Sequence, residues 1–351
     1  MDHRNQTIRP LSTLAPIVVD QYKNFISTQL VVYIGPWICG LGILFNLVCV
    51  CVFLSVNSFG YFRKTSLIFY LSSLFLCNAT QLLLAIFVLL LPAIESYLDE
   101  PPSMLYSLNV IAVRICYPLM LAANYSSIWL LVLTCTQRYQ AICPVSNSWK
   151  HRLNWVRLSK PLVLIVVFLS LVLNIIRYWE IEWVIENEQL TIKNTSLRDN
   201  LLYKLCQEAI IYGIFIYTVP MAILLFLNVA IIPLIFSTDL VTIENTRKSA
   251  EHRAARMTFC IFLLFFLCIT LSISIRLFFL LYGDDMSYMW MIDLSNWLIN
   301  FNALSSPIIS FLCTRGFHDL FFDIRYPYGV THKERLSFSQ LFGSQDPCPY
   351  L

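Results

Sequence analysis

The sequence predicts an all-α membrane protein: a bundle of seven transmembrane helices followed by a short amphipathic eighth helix. Three observations lead there. Apolar residues fill 58% of the 351 positions and charged residues only 13%, against roughly 45–50% and about 25% in soluble domains. The mean hydropathy is +0.68, so the chain cannot cover its own surface with polar groups and part of its solvent must be lipid. Finally, the apolar residues gather in long runs, most of them at or above the roughly 20 residues that a helix needs to cross a bilayer.

The runs fall near 30–54, 66–92, 110–136, 161–179, 208–236, 257–282 and 288–312, the fourth being the shortest. Short segments with Pro, Asp, Asn and clustered charge divide them. No Gly/Ser-rich or Pro-rich linker and no internal repeat interrupts the chain, which argues for one membrane domain at 30–313, preceded by an extracellular N-terminus at 1–29 and followed by an amphipathic helix and cytoplasmic tail at 314–351. The first ten residues hold no apolar core of the kind a cleaved signal peptide needs, so the first span is expected to act as its own insertion signal. Most cysteines, among them Cys49, Cys51, Cys77, Cys135, Cys260 and Cys268, lie inside apolar runs, where a thiol behaves as a small hydrophobe.

Lys and Arg set the direction, because they stay on the cytoplasmic side. With the N-terminus outside, the inner loops and tail hold Arg63, Lys64, Arg138, Lys150, Arg152, Arg157, Lys160, Arg247, Lys248, Arg253, Arg256, Arg315, Arg325, Lys333 and Arg335. The outer segments hold Arg4, Arg9, Lys23, Arg177, Lys193, Arg198 and Lys204. Two glycosylation sequons, at Asn5 and Asn194, fall outside in the same topology. Further matches at Asn78 and Asn124 lie within spans and cannot be used. The expected location is the plasma membrane.

Taken helix by helix, the polar residues within the spans resemble those of rhodopsin-like G-protein-coupled receptors over nearly the whole chain. The first span carries Gly42-Ile43-Leu44-Phe45-Asn46-Leu47-Val48, similar to the family's Gly-Asn-x-x-Val. The second reads Leu71 to Asn78, similar to Leu-x-x-x-Asp. The third ends Gln137-Arg138-Tyr139-Gln140-Ala141-Ile142-Cys143-Pro144, which resembles Glu/Asp-Arg-Tyr followed by Ala-Val-Cys-x-Pro. Tyr217, Pro220 and Asn228 stand in the fifth, and Asn302 to Ser310, around Pro307, resemble Asn-Pro-x-x-Tyr in the seventh. Tyr117-Pro118-Leu119, Asn174 to Glu180, and Phe265 to Ile269 further resemble the invertebrate FMRFamide-receptor-like neuropeptide receptors.

The resemblance implies roles. Arg138, with Tyr139, would hold the resting state and then meet the C-terminal helix of a heterotrimeric G protein. Gln137 stands where a carboxylate is usual, so only an amide hydrogen bond is offered and the resting lock is loosened. Asn78 likewise replaces a carboxylate that binds sodium, leaving a polar packing residue bonded to Asn46 and Asn302. Pro220 and Pro307 remove backbone hydrogen bonds and permit bends. Ser306 and Ser310 replace the family's Asn and Tyr. Cys116 and Cys206 are the best outward-facing pair for a disulfide, although Cys116 lies almost a turn deeper than the family's position, which Val113 holds; two free thiols are the alternative. Past the seventh span, Phe317, Leu320, Phe321 and Ile324 recur with helical spacing, the pattern of a helix lying on the inner leaflet.

The outer segments are acidic. Glu180 and Glu182, interleaved with Trp179 and Trp183, read as a mouth for a cationic peptide, with Arg276 able to pair with an acid, touch the ligand or reach for the interface. The five histidines are scattered with no metal-ligand spacing, no Gly-rich phosphate loop is present, and no catalytic constellation is visible. The expectation is therefore a receptor rather than an enzyme, with no metal, no cofactor and no nucleic-acid partner. Its partners would be membrane lipids, a heterotrimeric G protein and an extracellular neuropeptide, an amidated RFamide-like one. A chemosensory receptor for a small molecule shares every membrane feature.

Overall fold

The computed structural model describes residues 28–56, 67–98, 104–142, 160–186, 189–236, 246–282 and 289–313. They form seven long helical segments and one β-hairpin. Helix α1 begins with a widened π-helical turn, Gln29–Ile34, and continues as Gly35–Val56. Helix α2 comprises Leu67–Ala85, a π-helical turn Ile86–Leu90 and Leu91–Leu98. Helix α3 is Met104–Ile142, and α4 is Leu162–Ile175 closed by the tighter 3-10 turn Ile176–Trp179. Helix α5 starts at Leu201–Lys204, widens over Leu205–Thr218 and ends as Val219–Phe236. Helices α6 and α7 are Thr246–Tyr282 and Met289–Cys313.

The three widened stretches share a cause. Each ends two residues before a proline: Ile34 before Pro36, Leu90 before Pro92, and Thr218 before Pro220. Proline has no N–H to donate and its ring crowds the carbonyl four residues back, so the preceding turn opens by one residue. At the α5 junction the Val219 N–H reaches Ile214 O, five residues back, and the Thr218 hydroxyl donates to Gly213 O at 2.7 Å.

The distribution of polarity is inverted relative to a soluble protein. Trp37, Leu164, Phe168, Leu267 and Leu312 are each at least 65% exposed, whereas Asn46, Thr134, Gln137, Asn174, Ser272, Ser295 and Ser310 are fully buried. Apolar outside and hydrogen-bonded polar inside is what lipid demands, since the hydrocarbon can satisfy no polar group. Among the described residues, six segments are long and apolar enough to cross a membrane: Gln29–Leu54, Leu67–Glu95, Asn109–Gln140, Leu162–Trp179, Leu201–Ile232 and Ala255–Phe278. The fold is thus that of a helical membrane protein. Helix α7 is also long, at 25 residues, but Asn296, Asn300, Asn302, Ser305, Ser306 and Ser310 make it more polar than the other six.

The central cluster is built by α2, α3, α5 and α6 around Leu71, Phe75, Tyr125, Leu130, Leu224 and Ile269. A second cluster, Ile38, Cys39, Leu82, Ala85 and Ala303, joins α1, α2 and α7. Gly42 permits the close approach of α1: a Cβ there would lie 2.5 Å from Leu82 Cδ1.

Between α4 and α5 the chain forms an antiparallel hairpin that the sequence reading did not anticipate. Strand β1, Ile181–Glu186, pairs with β2, Gln189–Asn194, in a register running from Ile181↔Asn194 to Glu186↔Gln189. Ile181, Val184, Ile185, Thr191 and Ile192 supply the β-branched residues that favour strands. The helices extend past the apolar runs that announce them, most of all α6, which starts at Thr246 rather than 257, because hydropathy marks only the part that lipid touches. The eighth helix expected around Phe317–Ile324, and Asn5, lie outside the described residues.

Candidate functional site

The helices bring polar side chains together at the hairpin end, in the middle and at the opposite end. At the hairpin end the centre is Arg177, which is 4% exposed and sits on the last turn of α4. Its Nη2 meets Glu208 Oε1 of α5 at 3.1 Å, and its Nη1 lies 3.4 Å from Glu180 Oε1 and 3.1 Å from the Tyr117 hydroxyl of α3. The Tyr203 hydroxyl donates to Glu180 Oε1 at 2.7 Å. A guanidinium cannot be deprotonated at ordinary pH, so burying it requires nearby anions, and here α3, α4 and α5 are tied through one cation.

A second arginine lies beside this hub. The Arg114 guanidinium is 4.4 Å from the ring centres of both Tyr178 and Trp183, and its Nε donates to Tyr178 O at 3.3 Å. Trp183 in turn donates its indole N–H to Val110 O. These contacts pin the hairpin to the start of α3. Arg276 of α6 donates to Asn296 Oδ1 of α7 at 2.8 Å and lies 5.7 Å from the Tyr212 ring centre.

This geometry corrects the expected mouth. Glu180 is 3% exposed and belongs to the Arg177 hub; its charge is spent inside the protein because the 3-10 turn closing α4 carries it inward. Glu182 is exposed on β1 opposite Lys193. Trp179 is 53% exposed, and Trp183 is engaged with Arg114. Arg276 is bonded to an amide rather than to an acid. Of the two alternatives for Cys116 and Cys206, bridge or free thiols, the structure shows free thiols, Cys116 half-buried on α3 and Cys206 exposed on α5. Asn194 is exposed at the end of β2, while Thr195 donates to Trp179 O at 2.7 Å.

Along the interior, uncharged pairs join the helices. Ser272 and Ser295 hydroxyls lie 2.7 Å apart between α6 and α7, Tyr217 donates to Thr270 at 3.0 Å between α5 and α6, and Gln81 donates to Asn300 Oδ1 at 3.2 Å between α2 and α7. Asn46 has a specific task. Pro307 lacks the N–H that would bond Ala303 O, four residues back, and Asn46 Nδ2 donates to that carbonyl at 3.0 Å, as well as to Gly42 O at 2.7 Å. Ser305, Ser306 and Ser310 bond back to carbonyls of the preceding turn, a habit that bends helices. The carbonyl that Pro307 leaves without a backbone donor is thus closed from α1.

Asn78 does not bond to Asn46 or Asn302. It lines a small cavity with Asn302, Ser127 and Ser306, because Asn46 is turned toward the α7 carbonyl. At the end opposite the hairpin, Arg138 is 1% exposed and its Nη2 donates to Gln137 Oε1 at 2.9 Å. Tyr139 beside it is buried, and Asn228 of α5 reaches Cys135 Sγ one turn above. Pro220 marks the α5 transition described above. Among the described residues no cluster of His, Cys, Asp and Glu could hold a metal ion.

In the sequence alone, Arg177 stands only as an outer basic residue and as part of a family-like stretch, and the hub is not visible. The two stretches Tyr117-Pro118-Leu119 and Asn174 to Glu180, noted separately, meet at the Arg177–Tyr117 bond. A buried charge on an apolar helix end, with acids three residues on and at the start of the next span, was the available signal. No family model matches the chain, and no curated protein is similar to it.

Proposed function

We propose that the chain is a rhodopsin-like receptor of the plasma membrane, with α7 as its seventh transmembrane helix, that binds an extracellular neuropeptide and signals through a heterotrimeric G protein. The hairpin end faces outward, and Arg138 lies toward the cytoplasm. The ligand is an amidated, RFamide-like peptide, following the resemblance to FMRFamide-like receptors.

The observation that carries this reading is the burial of Arg138. An arginine that merely oriented the helix would extend its head into the interfacial water. Instead the guanidinium is drawn inside the bundle, where a charge is costly unless it serves a purpose. It sits at the end of α3 where the resemblance puts the coupling arginine, and Gln137 offers it a neutral partner that an incoming protein helix can displace. Helix α7 fits a transmembrane role: 25 residues at 1.5 Å rise exceed the roughly 30 Å hydrocarbon core, its serines and asparagines point largely inward, and Leu312 is exposed. Signalling would then be a shift between two bundle arrangements, with the Pro307 segment and the uncharged helix–helix pairs as the parts that rearrange.

The second reading is a receptor for a small molecule, favoured by a cavity of about 640 Å³ at the hairpin end of α1, α2 and α7, within the size range of small-ligand sites. A screen of amidated peptides and of small amines on cells carrying this receptor and a calcium reporter decides between them. Responses to peptides with Arg near an amidated C-terminus support the first reading, and responses confined to small amines support the second.

A further inference from the structure

Arginines of α3, α4 and α6 stand at the hairpin end of the bundle, and their charges are met differently. Arg177 faces Glu180 and Glu208, and Arg276 is bonded to Asn296. Arg114 meets no acid among the described residues. Its Nε donates to Tyr178 O, and its guanidinium carbon lies 4.4 Å from the ring centres of both Tyr178 and Trp183. The rings lie against the cation and the carbonyl takes Nε, so the edge that carries the two Nη groups is left with its donors unspent. Glu182, next to Trp183, does not supply the missing anion. Side chains alternate along a strand, which turns Glu182 to the other face of β1, where it stands opposite Lys193.

The surroundings of that edge are those of a lipid. Ile111, Ile115 and Leu119 recur along α3 at every fourth position, which is one helical face, and all three are exposed. Arg114 adjoins Ile115 in sequence and follows Ile111 by three residues, so it borders this lipid-facing stripe. On the α4 side Ile175 and Trp179 are exposed as well. The depth is set by Tyr178, whose carbonyl holds Nε one residue before the apolar span Leu162–Trp179 ends. That is the edge of the hydrocarbon, where acyl chains give way to headgroups and Trp is enriched.

We infer that Arg114 is a binding site for the phosphate of a phospholipid in the leaflet at the hairpin end. The anionic phosphodiester meets the two Nη groups, whose fork fits paired phosphate oxygens, and an acyl chain descends along Ile115 and Leu119. The two rings keep the guanidinium from turning away, and the bound anion supplies the counter-charge that no carboxylate provides. This rests on the chain's place in a membrane and not on the receptor reading.

The test is native mass spectrometry of the full chain, delipidated in a neutral detergent and titrated with dioleoyl phosphatidylglycerol. Dioleoylglycerol, which has the same chains without phosphate, and glycerophosphoglycerol, which has the headgroup without chains, are titrated alongside. The expected result is a saturable first phosphatidylglycerol, bound about tenfold or more tightly than either, the scale of one charge-assisted bond. Arg114→Met should weaken that first lipid about tenfold or more. Arg114→Lys, which keeps the charge but loses the fork, should weaken it severalfold and carries the test if the first variant folds poorly. Lys193→Gln removes a charge from the same end of the protein and should leave the affinity unchanged. Dioleoylglycerol bound as tightly as phosphatidylglycerol, affinity preserved in the folded Arg114 variants, or an equal loss in Lys193→Gln would overturn the site. Glycerophosphoglycerol bound as tightly as the lipid would make the ligand a soluble phosphate and overturn the lipid assignment.

Discussion

Removing the Asn46 amide should destabilise the protein only as long as Pro307 is present. Asn46 Nδ2 contacts two carbonyls, but Gly42 O belongs to the regular ladder of α1 and already has a backbone donor four residues on. Only the 3.0 Å bond to Ala303 O replaces a missing donor. Hydrogen bonds between membrane helices couple by about 0.6 kcal/mol on average and about 1.7 at most. Since no backbone N–H competes for Ala303 O, Asn46→Leu should cost about 1–1.5 kcal/mol, roughly a five- to tenfold change in the unfolding constant. Asn46 Oδ1 is buried without a partner, so its removal offsets part of this cost and holds the figure below the ceiling. In a Pro307→Ala background the restored N–H satisfies Ala303 O, and Asn46→Leu should then cost about 1 kcal/mol less. The assay is unfolding in mixed micelles, followed by circular dichroism, for all four proteins of the double-mutant cycle. Equal costs of Asn46→Leu in both backgrounds, within about 0.3 kcal/mol, would refute the link between the α1 amide and the α7 proline.

Three further outcomes are expected. Arg177→Met strands Glu180 and Glu208 and should cost about 3–5 kcal/mol, read as loss of folded protein at the cell surface, whereas adding Glu180→Gln and Glu208→Gln should recover most of it; a triple variant as poor as the single one would contradict the hub. Asn194, exposed at the end of β2, should carry a glycan, so Asn194→Gln should abolish the part of the glycosidase-induced gel shift that Asn5→Gln leaves; an unchanged shift would place the hairpin on the cytoplasmic side. Gln137→Glu puts a carboxylate where Oε1 now accepts from Arg138 at 2.9 Å, and a pair worth about 1 kcal/mol should lower basal G-protein activation about fivefold; a rise would reverse the proposed role of this pair.

Much of the frame was legible in the sequence because lipid imposes a simple code. The apolar runs fall on helices α1 to α7, and the run read as 161–179 coincides almost to the residue with Leu162–Trp179. The hairpin was hidden because it sits in a connection where hydropathy is silent, although Ile181, Val184, Ile185 and Ile192 carried a strand preference. The widened turns were readable only as prolines, since sequence shows where a donor is missing but not whether the helix opens, bends or borrows one. Pro220 takes the first course, and Pro307 borrows from Asn46. The mouth was misjudged for an electrostatic reason. Glu180 and Arg177 are three residues apart, and that both turn inward depends on Tyr117, Tyr203 and Glu208 arriving from other helices. The α7 residues that line the cavity, Asp293, Asn296, Trp297 and Asn300, do show their common face by spacing alone, but only the packing of α1 and α2 leaves open space beside them.

On the proposed function, a ligand at the hairpin end drives a G protein at the Arg138 end. The most direct measurement is guanine-nucleotide exchange on purified heterotrimeric G proteins by the chain in nanodiscs, with and without amidated peptides carrying Arg near the C-terminus. The expected result is peptide-stimulated exchange that Arg138→Ala suppresses while peptide binding persists. Peptide that binds at the hairpin end yet leaves exchange unchanged across the G-protein classes, or stimulation that Arg138→Ala does not diminish, would contradict the account.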